Sequence, residues 1–326
     1  MKRFNNILCV VDPEETMDTA IVQALRIAED HQANITFISV LKSVRSWLTT
    51  FRDKEELAKE IGVIEEKKRA LVESRIRSLA PSLRVNIVVS SGINFIEIIK
   101  HAIDNQHDLV VKCAEDMDWI DRMLGSEDMH LLRKCPCPVL MLKPDQKDSF
   151  RRLLATVDVN NKFDELDEGQ VQDELNQQVL EYSATLAIPE LSEMHIGSSW
   201  EAYAEDFLRH GGFSSTPEEK VDRYVEQERR DCTSKLQMLV RKMDEMLGKE
   251  TVQYLQPRSH LIKGQASREI PLMVENYDID LIIMGTVGRV GIPGLIIGNT
   301  AESILEQTKC SILAIKPEGF KTPVKG

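Results

Sequence analysis

The chain opens on an unbroken apolar run, Asn6–Val11, followed from about Met17 to Asp30 by Ile21, Leu25 and Ile27 at helical intervals. That order, an apolar strand and then a helical stripe, recurs. "NITFISVL" predicts a second strand. Leu57, Ile61, Ile64, Val72, Ile76 and Leu79 then form one apolar stripe of a long helix. "RVNIVVS" reads as a third strand, "NFIEIIKHAID" as a helix, "DLVVK" as a fourth strand and "PVLML" as a fifth. Strands apolar on both faces, alternating with helices, predict a parallel sheet covered on each side, with right-handed crossovers.

The pattern then starts again. "NNILCVVDP" (Asn5–Pro13) parallels "RRLLATVDV" (Arg151–Val159), which sets Asp12 over Asp158. "HDLVVKC" (His107–Cys113) parallels "IDLIIMG" (Ile279–Gly285), and "LLRKCPCPVLMLKP" parallels "ILEQTKCSILAIKP". In the second long helix, Val221, Val225, Leu236, Val240 and Met243 lie 164 positions after Leu57, Ile61, Val72, Ile76 and Leu79. Gln170–Ala187 is its earlier helix and "HLIKG" its third strand. This is a duplicated domain. The expected architecture is α/β: two tandem doubly wound domains, 1–145 and 151–318, each on a five-stranded parallel sheet, with a tail at 319–326. The charged segment Lys143–Arg152 is the linker.

Composition narrows the function. The 326 residues are 42% hydrophobic and 29% charged, with a net charge of −12. That is a globular chain whose acidic surface disfavours nucleic acid and anionic membrane as partners. No apolar stretch reaches 18 residues, so no membrane span is expected. The N-terminal apolar run is cut short by Asp12, too early for a signal peptide. Six scattered cysteines without CxxC spacing fit a reducing cytoplasm. Cys135-Pro136-Cys137 is readable as a redox or metal pair, or as the end of a helix and the start of a strand; no second ligand pair accompanies it.

The candidate chemistry lies in "GTVGRVGIPGLIIGNTAES" (Gly285–Ser303), five glycines between a strand and a helix. In such sheets ligands bind beyond the carboxyl ends of the strands. Glycines let main chain approach a phosphate, and a helix start supplies free N–H groups and a positive dipole end. Gly285, Thr286, Gly288 and Gly298 are therefore candidate phosphate contacts. Asn299 or Thr300 is a candidate helix cap and phosphate donor, and Arg289 a nearby positive charge. Asp158, ending a strand on the same rim, is a candidate for a ribose hydroxyl or a base amino group. The segment lacks a P-loop ending and GxGxxG spacing. A tight strand-to-helix connection without ligand is the alternative for the glycines; a helix cap or loop acceptor is the alternative for Asp158.

Gly285-x2-Gly288-x9-Gly298, the two strand-ending aspartates and the "KP" tails of both copies together resemble the universal stress protein family. The resemblance covers the whole chain as two tandem copies. It implies an adenine-nucleotide alpha-hydrolase type of fold. It implies ATP or another adenine nucleotide, Mg2+ admitted beside it, as the ligand of members that keep the glycine motif. The family's Ser or Thr after the last glycine is Asn299 here, with Thr300 next. In the first copy Cys113-Ala114-Glu115-Asp116 stands where Gly285–Gly288 stands in the second, so the second copy is expected to hold the ligand. Family members dimerise through their last strands. "PVLMLKP" and "SILAIKP" are thus expected to pair within the chain, and a homodimer stays open.

No catalytic residue is assigned. The seven histidines form no HExxH or metal cluster, and no GxSxG elbow is present. His195 either faces the second site or packs within the sheet. The segment Glu201–Lys220 either shapes the pocket as a lid or forms a small satellite core. The expected function is a nucleotide-binding stress-response protein acting through partner contacts. The alternatives are a weak ATPase or phosphotransfer switch at the same pocket, and a carrier of another phosphate-bearing, acylated ligand.

Overall fold

Strands begin where the apolar runs begin. In a computed structural model of the chain, which describes residues 2–13, 17–42, 54–81, 86–114, 126–146, 149–160, 166–211, 216–286 and 297–325, these residues form two compact units. The first unit contains residues 3–149 and 309–325, the second residues 2, 150–290 and 297–308 as far as they are described.

The first unit carries β1 (Asn6–Val10), α1 (Asp18–His31), β2 (Asn34–Lys42), α2 (Lys54–Leu79), β3 (Asn86–Gly92), α3 (Asn94–Asp104), β4 (Leu109–Cys113), α4 (Glu127–Lys134) and β5 (Val139–Leu142). Its strand order is β3-β2-β1-β4-β5 followed by β10 (Ser311–Ile315), and the first five run parallel. β4 and β5 are buried along their whole length, as continuous apolar runs in a two-sided parallel sheet must be. β10 lies antiparallel on β5, with Leu313 opposite Leu140. The two apolar last strands thus cover one another, which removes an edge prone to aggregation. This pairing is why residues 309–325 group with the first copy rather than with the helix that precedes them in sequence.

The second unit holds β6 (Arg152–Thr156), α5 (Leu166–Glu190), β7 (Glu193–Trp200), α6 (Glu205–His210), α7 (Glu218–Leu247), α8 (Lys249–Leu255), β8 (Arg258–Lys263), α9 (Ala266–Asn276), β9 (Leu281–Gly285) and α10 (Asn299–Gln307). Its strands run parallel in the order β8-β7-β6-β9.

The long helices depart from the expected stripe. Among the described side chains of the α2 stripe, Val72 and Ile76 are fully buried, while Ile64 is 45% and Leu79 37% exposed. In α7 Val221, Leu236, Leu239 and Met243 are buried, whereas Val225 and Val240 are half-buried. A 30-residue helix outruns a strand of six to eight residues (~3.3 Å per residue against 1.5 Å), so parts of its stripe lie beyond the sheet, although in α7 burial still recurs from Val221 near its start to Met243 near its end. Among the described residues no helix is long and apolar enough to cross a membrane.

Candidate functional site

β6 and β9 are neighbours in register, Thr156 opposite Met284. Asp158 and Thr286 each follow by two residues, so both stand on the carboxyl rim of the second sheet. The main chain closes back on this rim: the Gly298 N–H donates to the Thr286 carbonyl at 3.1 Å. The structure therefore brings Asp158, Gly285, Thr286, Gly298, Asn299 and Thr300 to one rim. Gly288 and Arg289 lie outside the described residues.

The two described glycines differ in their reasons. A Cβ on Gly285 would stand 2.4 Å from Leu175 Cδ2 of α5, so packing alone demands glycine there. At Gly298 φ is −59°, which any residue adopts, and a Cβ would meet no atom of the described residues within 4 Å. Among the described residues, then, neither backbone nor neighbours require glycine at Gly298.

Gly298 is itself the N-cap of α10, and no side chain caps the helix. The expected capping by Asn299 or Thr300 is corrected: both are already inside the first turn, with exposed side chains. The first intrahelical bond runs from Glu302 N to Gly298 O at 2.9 Å. Helix geometry thus leaves the Asn299, Thr300 and Ala301 amides without partners inside the helix, at the positive end of its dipole.

Asp158 is half-buried and partly engaged. Its Oδ1 accepts from Asn160 N and Nδ2, both at 3.0 Å. Asn176 of α5 brackets its peptide unit, accepting from Asp158 N at 2.9 Å and donating to Asp158 O at 2.8 Å. The loop-acceptor role is real, and both side-chain bonds use the same oxygen.

The first copy presents a different rim. Lys112 of β4 pairs with Asp128 of α4 at 2.8 Å, both almost fully buried. Lys68 of α2 reaches Asp12 at 3.1 Å. Only about 20 Å3 of cavity remains between Asp12, Asn94 and Lys112, room for a single water. In the second copy the corresponding positions are Met284, Ala301 and Cys232. Asp158 still acts electrostatically on Cys232, whose thiol burial pushes up. Lys68 and Lys112 distinguish the two rims, a difference that strand patterns and glycine motifs do not reveal. Aligning the long helices at their 164-residue offset puts Lys68 over Cys232, which was the available signal. α4 is capped by Ser126, which accepts from Met129 N at 3.1 Å, where α10 has only Gly298.

Three open expectations are decided. His195 is the third residue of β7 and belongs to the amino rim, opposite the candidate site; it is buried against His260 at a ring distance of 5.0 Å. In the Glu201–Lys220 segment Tyr203 and Phe207 are 51% and 68% exposed, so the described part is no aromatic satellite core. Ion pairs hold it instead: Glu205 to Lys263 at 2.6 Å and Arg209 to Asp222 at 2.6 Å. Finally, Cys135 and Cys137 lie with sulfurs 3.5 Å apart. The hydrogen bond to Cys135 and burial raise the Cys137 thiol, which favours the protonated form. No metal-ligand cluster occurs among the described residues.

Comparison with known proteins agrees with this architecture. The model of the universal stress protein family matches residues 3–143 and 170–316. Among curated relatives, the universal stress protein E homologue of Haemophilus influenzae is 26% identical over 324 residues, covering 97% of this chain and 98% of its own. Universal stress protein E of Escherichia coli K12 is 26% identical over 329 residues, covering 100% and 98%. Among solved structures, a universal stress protein of Archaeoglobus fulgidus superposes with a TM-score of 0.62 at 16% identity over 97% of both chains. A functionally unknown protein of Pseudomonas aeruginosa PAO1 gives 0.61 at 22% identity, over 97% of this chain and 94% of its own. A fold of two repeated α/β units, a family match in each and similarity along the full length lead to one conclusion: the chain belongs to the universal stress protein family, with two tandem copies of its domain.

Proposed function

We propose that the chain binds ATP or another adenine nucleotide on the carboxyl rim of the second unit, and that it acts in a stress response through contacts with partners. The observation that carries this reading is Gly298. Among the described residues it is glycine without a conformational or packing reason, at the start of a helix that no side chain caps. The amides of Asn299, Thr300 and Ala301 are the phosphate donors, aided by the helix dipole. Asp158, on the same rim, accepts from a ribose hydroxyl or a base amino group in this reading. Gly288 and Arg289 complete the anion cradle in this proposal, and Mg2+ accompanies the triphosphate. The buried ion pair in the first copy supports a ligand-free role for that rim.

Isothermal titration of ATP into the full chain tests the reading, together with mass spectrometry of nucleotide retained on purification. Binding at one equivalent that is lost in Gly298→Asp supports it. Two equivalents, or one equivalent untouched by that change, would refute the assignment of the site.

A further inference from the structure

The amino rims of the two units differ as sharply as the carboxyl rims. In the second unit the rim is filled by rings and charges. His195, His260 and Tyr277 pack together, His260 and Tyr277 with ring centroids 4.3 Å apart, and His195 Nδ1 lies 3.0 Å from His260 Nε2. Around them Arg152 reaches Asp278 at 3.2 Å and Glu193 at 3.5 Å, and Arg258 also pairs with Glu193.

The strand registers and helix ends identify the same places in the first unit. Thr36, Val88 and Asn105 stand where His195, His260 and Tyr277 stand. Asn6, Asn34, Asn86 and Gln106 stand where Arg152, Glu193, Arg258 and Asp278 stand. Every ring has become a smaller side chain, and all four charges have become amides. The space so released is a groove of about 730 Å3, within the range of ~300–1,000 Å3 common for small-molecule sites.

One polar atom buried behind its wall is unsatisfied. His107 is 6% exposed and lines the groove, and its Nε2 is buried with no hydrogen-bond partner among the described residues. Its Nδ1 faces the Asn6 carbonyl at 3.3 Å. A carbonyl only accepts, so the neutral ring carries its hydrogen on Nδ1 and offers a lone pair at Nε2. Burial holds His107 and the stacked His101 neutral, lowering the pKa of each. The nearby Asp108 carboxylate is taken up by Asn5 N at 2.7 Å and Asn6 N at 3.0 Å.

We infer that this groove is a second ligand site, for a neutral, hydroxyl-rich small molecule of the sugar or polyol class. Amide side chains both donate and accept, as hydroxyls do. Among the described residues the lining holds no charged side chain, so an ionic ligand gains no compensation there for its lost hydration. The site is independent of the nucleotide reading, being on the other unit and the opposite rim.

Saturation-transfer NMR on the full chain, with glucose, maltose and myo-inositol as probes and glucose 6-phosphate as charged comparator, tests this. At least one neutral probe is expected to bind, and Asn105→Tyr, which installs the ring of the second unit, to weaken it by about tenfold or more. Should that variant fail to fold, Asn34→Leu, at an exposed lining position, makes the same comparison. ATP titration stays unchanged in either variant. No transfer to any neutral probe, transfer unaffected by the folded variants, or tighter binding of the phosphorylated sugar would each overturn the assignment.

Discussion

The two carboxyl rims are built on the same strand ends yet satisfy them oppositely. In the first copy the protein supplies both charges, Lys112 against Asp128 and Lys68 against Asp12. In the second copy Met284 and Ala301 are apolar, Cys232 is a buried thiol, and the helix start is left uncapped. An internal ion pair occupies the rim of the first copy, and such a pair needs its partner far more than it needs a ligand.

The largest effect should come from breaking that pair. Lys112→Met leaves Asp128 buried and uncompensated and should cost roughly 3–5 kcal/mol in urea unfolding. The double change Lys112→Met with Asp128→Ala installs the residues of the second copy and should recover most of that loss. A double variant as unstable as the single one would mean the pair is not what distinguishes the rims.

Next comes Gly298→Asp. Aspartate is a good N-cap, so the melting temperature should hold or rise, while a carboxylate in the anion cradle should weaken ATP binding about 100-fold, on the order of 2.7 kcal/mol. Equal weakening with a fall in melting temperature would instead point to a damaged helix.

The two "KP" lysines give a pH comparison inside the first unit. Lys143 is part-exposed and pairs with Asp145 at 3.1 Å. Lys316 is buried, donates to the Leu132 carbonyl at 2.7 Å, and is pulled down from 10.5 to about 7 by burial. Between those values the unfolded chain binds the extra proton, so stability should rise with pH from about 7 to 8.5, by at most ~1.4 kcal/mol per pH unit. Above 9 the buried thiols Cys9 and Cys137, both raised, oppose the trend. Denaturant melts across this window should lose the slope in Lys316→Met and keep it in Lys143→Met.

The smallest effect separates the paired aspartates. Asp12→Asn should cost about 1 kcal/mol of stability through the mostly buried Lys68 pair and leave ATP affinity alone. Asp158→Asn should do the reverse, lowering affinity with little change in melting. If both changed only stability, Asp158 would be a loop acceptor and nothing more.

Much of this was legible in the sequence because strands buried on both faces must be apolar throughout and the same runs occur twice. The amphipathic stripe of the long helices was legible only in part, since a stripe records which face is apolar and not how far the sheet extends beneath it. Gly285 and Gly298 looked alike as letters. One is glycine because Leu175 leaves no room for a Cβ, the other meets no such neighbour among the described residues, and that distinction depends on a residue over a hundred positions away.

By itself the sequence determined the duplicated α/β architecture, the rim on which the glycines fall, and the copy that keeps them, because hydrophobic periodicity and backbone permissiveness are local properties. Only the tertiary structure decided which charges meet across 16 and 56 positions, that His195 lies at the far rim from the glycines, and that one amino rim is filled while the other is a groove. Those outcomes depend on which side chains the strand registers set beside one another, and register is a relation between segments that no single segment contains.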